Sequence, residues 1–180
     1  MNYKVHKLGG IMFGIAAADV MATTYVGHVA PYAIVAIPFV SAFASSLPDL
    51  DKANTHASNR MPHLSKLFQL LGHRKLSHSA LIPVSLLVLG LFLSLSLSFN
   101  QIISACVLSL FVGLSVGYFC HIMYDIITTM GVPLFSPIKN DSYSVGYLRN
   151  KEDGPKIAIF TAILMLPLAL TLLRYLISIF

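Results

Sequence analysis

Five long runs of apolar residues constrain the fold more than any other feature of the sequence. They span residues 8–27, 31–47, 80–99, 102–127 and 157–179. A helix needs about 20 mostly apolar residues to cross a bilayer, and these runs have that length or approach it. The sequence therefore predicts an all-α, polytopic membrane bundle of about five spans, formed as a single integral-membrane domain over residues 1–180.

The composition agrees with a membrane protein. Hydrophobic residues make up 56% of the chain, charged residues make up 11%, and the mean hydropathy is +0.77. Soluble domains usually carry about 25% charged residues. The net charge of +5 does not indicate nucleic-acid binding, because the basic residues are scattered along the chain. Cys106 and Cys120 are separated by about 21 Å of helical rise, so no disulfide between them is expected and nothing here argues for an oxidising compartment.

The positions of Lys and Arg predict the topology. Outside the last apolar run, these residues precede the first run or lie in the loops at 48–79 and 128–156, and none lies in the short turns near 28–31 and 100–101. Positively charged loops remain on the cytoplasmic side. We therefore expect a bacterial inner-membrane protein with both long loops in the cytoplasm, and we interpret the N-terminal run as a retained span.

A second periodicity occurs inside the first of these loops. Leu64, Leu67, Phe68 and Leu71 recur at the spacing of one helical face, and Gly72 follows as a C-cap. This pattern predicts a short amphipathic helix that lies in the headgroup plane with its apolar face toward the membrane.

The block "HIMYD" ends the fourth apolar run. His121 and Asp125 are four residues apart and share one helical face, which Ser109, Gly113 and Gly117 continue in steps of four. Small residues at this spacing let membrane helices approach closely. The two side chains either pair with each other within the bundle or belong to a functional site, as ionisable residues in membrane segments usually do.

Two further polar blocks lie in the 48–79 loop. "GHRKLSHS" contains His73, Arg74 and His78, and it is either a basic loop that binds anionic headgroups or part of a site. One of its serines, Ser77 or Ser79, is expected to cap the third span. "PDLD" contains two aspartates and is either a solvated turn or a source of oxygen ligands.

The predicted topology brings these blocks to the same face of the membrane, together with the histidine that opens the first span. Imidazole and carboxylate together are ligands for Zn, Mn or non-haem Fe. The set suits two divalent ions, or one ion with a carboxylate left over as a base. Zn or Mn is the expected metal, and Arg74 is the candidate contact for a phosphate group. The expected ligands are His6, Asp49, Asp51, His73, His78, His121 and Asp125.

Several stretches resemble the YdjM-like family of membrane-bound, LexA-regulated, predicted metal-dependent hydrolases. The matching stretches are "HKLGG" at 6–10, "SSLPDLD" at 45–51, "GHRKLSHS" at 72–79 and "HIMYDIITTMGVPLFSP" at 121–137. Lys75 and Ser77 depart from the expected pattern without removing a candidate ligand. The resemblance covers most of the chain in the same order and implies metal-dependent hydrolysis.

The sequence thus favours a metal-dependent hydrolase that acts at the cytoplasmic headgroup level. In this interpretation Asp51 either binds the metal or takes a proton, and Arg74 stabilises charge on a phosphoryl oxygen. The substrate is expected to be a membrane lipid or lipid phosphate. The alternative is a non-enzymatic metal-binding membrane protein, such as an ion carrier, a sensor or a structural factor. No feature of the sequence specifies a protein partner or an oligomeric state.

The topology can be tested by thiol labelling. Single cysteines introduced at Lys52 and Asn100, in a background without native cysteines, should differ in intact cells. Only position 100 should react with a membrane-impermeant reagent, because the Lys and Arg distribution retains position 52 inside. Equal labelling of the two positions would contradict the predicted topology.

Overall fold

A computed structural model of the chain describes residues 3–70, 75–146 and 153–179. The α-helices of these residues are numbered in chain order. They are α1 (Tyr3–Ala22), α2 (Tyr25–Val29), α3 (Pro31–Ala44), α4 (His56–Arg60), α5 (Pro62–Leu70), α6 (Leu81–Ser96), α7 (Gln101–Ile126) and α8 (Gly154–Ile179). Short 3-10 turns cover Pro48–Asp51 and Leu76–His78. The predicted all-α membrane bundle is confirmed.

All five apolar runs correspond to helices. Among the described residues, three segments are long and apolar enough to cross a membrane: Tyr3–Ala22, Pro31–Asp51, which comprises α3 and the turn after it, and Gln101–Ile126. The other two runs correspond to α6 and α8, in which the apolar stretches found are shorter, Leu81–Ser96 and Met165–Ser178. The boundary of the first run was predicted wrongly, because α1 ends at Ala22. There the Thr24 side chain accepts a hydrogen bond from the backbone of Val26 and starts a new helix.

Helix α3 packs closely against both α1 and α7. Glycines permit this close approach on both sides. A Cβ added at Gly14 of α1 would lie 2.6 Å from the Cα of Pro38, and one added at Gly113 of α7 would lie 2.9 Å from Val40. At Gly117 it would overlap the carbonyl oxygen of Ser41. The stripe of small residues on α7 therefore packs against a helix, as the sequence predicts.

α1 runs antiparallel to α3 and α7, so the start of α1 and the ends of α3 and α7 lie at the same end of the bundle, where their polar residues meet. The start of α8 lies there, because Ile157 packs against Val5 and Tyr124. The start of α6 lies there as well, since Ser79 donates a hydrogen bond to the carbonyl oxygen of Ser136 at 2.6 Å. Both long loops therefore share this end, in agreement with the predicted topology.

Apolar side chains fill the bundle away from this end. Ala18, Ile34, Ile37, Ala105 and Leu108 belong to one buried cluster that joins α1, α3 and α7. Burial of each apolar side chain and close packing of the helix backbones both stabilise this part of the bundle.

Asp19 is the acidic residue that lies deepest in the apolar run of α1. Its Oδ1 accepts a hydrogen bond of 2.5 Å from Thr171 Oγ1 of α8. A hydrogen bond between helices of this kind satisfies an isolated carboxyl group within a membrane segment. Asp19 thus joins two helices, and it does not belong to the cluster at the polar end.

The amphipathic helix is present as α5. Its Ser65 is buried and donates a hydrogen bond of 2.8 Å to the carbonyl oxygen of Leu50, and Phe68 packs against the cluster of Tyr118 and Ile122. Leu67 and Leu70 are exposed, which suits a helix that faces the membrane interface. Two residues of the predicted helix, Leu71 and Gly72, lie outside the described residues.

The substitution Gly117→Ala tests the contact between α3 and α7. Alanine favours a helix over glycine by about 1 kcal/mol, so an uncrowded site would gain stability. Here the added methyl group meets a backbone carbonyl that cannot rotate away, and overpacking usually costs about 1–3 kcal/mol. We expect a lower thermal midpoint in detergent. Gly154→Ala is the control, because its methyl group meets only the Val5 side chain at 3.3 Å. An unchanged or higher midpoint for Gly117→Ala would contradict the packing.

Candidate metal centre

Six polar side chains from separate segments meet at the polar end of the bundle. They come from the first turn of α1, the turn after α3, the turn before α6 and the last turns of α7. The six are His6, Asp49, Asp51, His78, His121 and Asp125. The structure thus brings together six of the seven residues that the sequence suggested as ligands. His73 and the candidate phosphate contact Arg74 lie outside the described residues.

Local structure explains how α7 and the PDLD block supply their groups. His121 and Asp125 share one face of α7, and the His121 Nε2 lies 3.5 Å from Asp125 Oδ2. Pro48 begins a 3-10 turn directly after α3, which turns the chain so that Asp51 is buried and Asp49 stays partly exposed. The PDLD block is therefore a folded turn, and its second carboxyl group is not solvated.

His121 is oriented by the end of α3. Its Nδ1 lies 2.7 Å from the carbonyl oxygen of Ser45, which is the C-cap residue of that helix. A carbonyl oxygen only accepts hydrogen bonds, so Nδ1 carries the proton. The neutral ring then has its lone pair at Nε2, which lies 3.9 Å from Asp49 Oδ1. This is the arrangement of a metal-binding histidine with a hydrogen bond on its far side.

His78 repeats this arrangement with a carboxylate behind the ring. Its Nδ1 lies 3.2 Å from Asp51 Oδ2, and its Nε2 lies 3.6 Å from Asp125 Oδ2. Ser77 Oγ donates a hydrogen bond of 2.5 Å to the same Asp51 oxygen. Tyr118 in turn donates to the Ser77 carbonyl oxygen at 2.6 Å. These contacts orient the Nε2 of His78 toward Asp125.

His6 lies against the other side of His121. The two rings stack with their centroids 4.0 Å apart, and the His6 Nε2 lies 3.6 Å from Asp125 Oδ1. Among the described residues, neither ring nitrogen of His6 nor the Nε2 of His121 has a hydrogen-bond partner. Buried polar groups are nearly always satisfied, so these nitrogens are suited to bind a ligand.

Two overlapping groups of these residues could hold a metal ion. One is His6, His121 and Asp125, the other is Asp49, His78 and His121, and in each group the ligand atoms lie within 4.8 Å of one another. His121 belongs to both groups, but its Nδ1 is engaged by the Ser45 carbonyl oxygen. Only one of its nitrogens is available, so the two groups cannot each bind an ion with a full set of ligands. The geometry therefore favours one ion over two.

Asp49 connects the cluster to its surroundings. Its side chain is 31% exposed, whereas those of His6, His78, His121 and Asp125 are at most 3% exposed. A buried donor set with one partly exposed carboxyl group has an interior that excludes water and one side through which a small group can enter.

Sequence reasoning missed two groups that support the site. The Ser45 carbonyl oxygen belongs to the backbone, and no sequence pattern indicates that a helix end faces a histidine. Tyr118 does have a signal, because it precedes His121 by three residues and so lies near it on α7. Of the two serines proposed as caps, Ser79 accepts a hydrogen bond from the Leu81 backbone at 3.1 Å, and Ser77 binds Asp51.

The fold and this cluster define an α-helical membrane protein with a buried histidine–aspartate centre at one end of its bundle. The chain belongs to the YdjM inner membrane protein family, whose match covers residues 1–179.

Two curated relatives support this assignment. The chain is 30% identical over 141 residues to the inner membrane protein YdjM of Escherichia coli (strain K12), and equally to that of Shigella flexneri. The alignment covers 73% of this chain and 65% of each relative, so it spans slightly less than two thirds of their length. No solved structure matches the chain.

A substitution can test whether Asp51 supports His78 or would itself bind a metal ion. If Asp51 orients His78, the change Asp51→Asn should weaken metal binding by about 10–100-fold without abolishing it, as loss of such supporting contacts typically does. Metal affinity is measured by competition with a chelator. Asp141→Asn, an exposed carboxyl group, is the matched control. Complete loss of metal in Asp51→Asn would make Asp51 a ligand, and unchanged affinity would remove it from the site.

Proposed function

We propose that this protein is a metal-dependent hydrolase that acts on a lipid phosphoester at the cytoplasmic headgroup level. The observation that carries the proposal is the hydrogen bonding of the two ring nitrogens of His121. Its Nδ1 donates to a backbone carbonyl oxygen, and its buried Nε2 faces two carboxyl groups without a hydrogen bond. Such a nitrogen suits a metal ion better than any partner that the surrounding described residues offer.

Four side chains are the proposed ligands: His6, His78, His121 and Asp125. All three rings approach the Asp125 carboxyl group within 3.6 Å, so this residue is the common centre of the set. Three imidazoles and one carboxylate are ligand types that suit both Zn and Mn, and catalysis requires that the ion keep a further position open for water or substrate. His73 remains a candidate ligand from the sequence, outside the described residues.

Bound at this position, a divalent ion supplies Lewis acidity, which makes water a stronger acid and polarises a phosphoryl oxygen. Asp49 is the proposed proton acceptor, because its carboxyl group is beside His121 and partly exposed. Asp51 is proposed to hold His78 in place, because its carboxylate contacts both the His78 ring and the Ser77 hydroxyl, and its expected role as ligand or base remains a prediction. Arg74 is the proposed phosphate contact, because its planar guanidinium group can bind two phosphate oxygens.

The position of the cluster at the helix ends supports a lipid substrate. It lies where the long helices meet the loops rich in Lys and Arg, which suits the headgroup region on the cytoplasmic side. The neighbouring α5 exposes Leu67 and Leu70, which are suited to contact lipid there. A lipid phosphoester would bring its ester bond to this depth without leaving the membrane.

The rival proposal is a metal-binding protein without catalytic activity. An ion carrier needs ionisable groups near the middle of the membrane that are accessible from both sides. The bundle beyond the cluster is filled by apolar side chains such as Ile34, Ile37 and Leu108, and Asp19 is bound by Thr171. This packing favours an enzyme over a carrier, and an assay of hydrolysis distinguishes the enzyme from a sensor.

Metal analysis and a lipid assay test the proposal together. Purified protein should contain about one Zn or Mn per chain and should hydrolyse at least one member of a panel of phospholipids and polyprenyl phosphates. His121→Ala and Asp125→Ala should lose metal and activity together, because each removes a ligand. The matched control is His28→Ala, which removes an exposed histidine near the opposite end of α1.

The outcomes separate the two parts of the proposal. Full metal content in both the His121→Ala and Asp125→Ala proteins would remove the metal centre. Stoichiometric metal without hydrolysis of any lipid in the panel would favour the non-enzymatic alternative. Chelation should abolish activity, and restoring the metal should recover it.

A further inference from the structure

A groove lies on the outer side of the α1–α3 pair, separate from the metal centre. Its volume is about 510 Å³, within the range of small-molecule sites. Three helices contribute to its walls: Tyr3, Lys7 and Ile11 of α1, Phe39 and Phe43 of α3, and Ala57 and Arg60 of α4. None of the six residues assigned to the centre lines this groove.

The chemistry of the groove changes with depth. Tyr3 is at the start of α1 and Ile11 is two turns further on, about 12 Å deeper along the helix. Because α3 runs in the opposite direction, Ser46 lies at the polar end and Phe39 lies deeper. The groove is therefore polar near the loops and apolar toward the bundle interior, which is the pattern of an amphiphile oriented along the membrane normal.

The polar end of the groove is positively charged. Lys7 and Arg60 both line it and are exposed, and no Asp or Glu is found among its lining residues in the part of the chain that the structure describes. The His56 ring stacks on Tyr3 with the centroids 3.9 Å apart, which holds α4 against the start of α1. An anionic group is the complement of this end, and phosphate pairs especially well with Arg.

We propose that this groove binds a phosphate-bearing lipid. Lys7 and Arg60 hold the phosphate, and the acyl chain lies along Ile11, Phe39 and Phe43. This groove is a second site, in addition to the proposed hydrolytic centre, at which an anionic lipid is bound. It is independent of the metal, because none of the proposed ligands lines the groove, so a test of binding does not depend on hydrolysis.

Binding is measured on the full-length protein in detergent micelles. The probe is fluorescent short-chain phosphatidic acid, with phosphatidylcholine of the same chain length and glycerol 3-phosphate as competitors. Phosphatidic acid should compete at least tenfold better than either, because only it carries both an acyl chain and an uncompensated phosphate charge. Equal competition by phosphatidylcholine would overturn the role of the cations, and equal competition by glycerol 3-phosphate would overturn the role of the chain.

Charge variants test the phosphate contacts. The double substitution Lys7→Gln with Arg60→Gln should weaken phosphatidic acid binding by about tenfold or more. The matched control is Lys52→Gln with Lys66→Gln, which removes the same net charge from exposed side chains outside the groove. An equal loss of affinity in both double variants would mean general attraction to a basic surface and would overturn the site.

An apolar variant tests the acyl-chain contacts. Phe39→Ala should weaken binding of the lipid severalfold and leave binding of glycerol 3-phosphate unchanged, because it removes only a wall of the deep part. Phe92→Ala on α6 is the control, since it also truncates an exposed phenylalanine but lies outside the groove. The same result for both phenylalanines would contradict the proposed path of the chain. Metal content and hydrolysis are measured separately, so failure of the groove and failure of the metal centre are distinguished.

Discussion

The close approach of α3 to both α1 and α7 is the constraint on which the rest of the structure depends. In a membrane, helices gain little from excluding apolar groups from water, so their association depends on close packing and on hydrogen bonds. Glycines on α1 and α7 provide the first, at Gly14 and Gly117. Ser41 provides the second, because its hydroxyl donates to the carbonyl oxygen of Gly10 at 2.7 Å. Larger side chains would separate these helices.

The same approach assembles the polar cluster. Helix ends leave backbone carbonyl groups without partners, and these groups must be satisfied by something nearby. At the end of α3, the Ser45 carbonyl oxygen is satisfied by His121 of α7, which lies one turn after Gly117. The contact satisfies a helix end and also selects the nitrogen that His121 presents to the cluster. Helix packing and the chemistry of the site are therefore linked through one hydrogen bond.

Much of the fold could be predicted from the sequence, because apolar runs long enough to cross a bilayer indicate membrane helices. The pairing of His121 with Asp125 and the packing role of Gly113 and Gly117 followed from a spacing of four residues. The split between α1 and α2 could not be predicted so directly, since it depends on the hydroxyl of Thr24 competing for backbone groups.

The convergence of the six polar residues was predicted from topology, but their individual contacts were not. Asp49 and Asp51 are two residues apart in one turn, yet one is partly exposed and the other is buried against Ser77 and His78. That difference comes from the 3-10 turn and from the segment packed over it, which are tertiary features. A sequence motif identifies which residues can act as ligands, whereas three-dimensional packing decides which of them support the others.

The α1–α3 pair separates the histidine–aspartate cluster from the groove, because successive residues of a helix face different directions. On α1, His6 faces the centre, whereas its neighbour Lys7 faces the groove. On the C-terminal side of α3, the carbonyl oxygen of Ser45 holds His121, and the adjacent Ser46 lines the groove. Successive residues of a helix point about 100° apart, so one helix can serve two sites only on different faces. A lipid held in the proposed groove would therefore contact the same two helices that carry His6 and the support of His121.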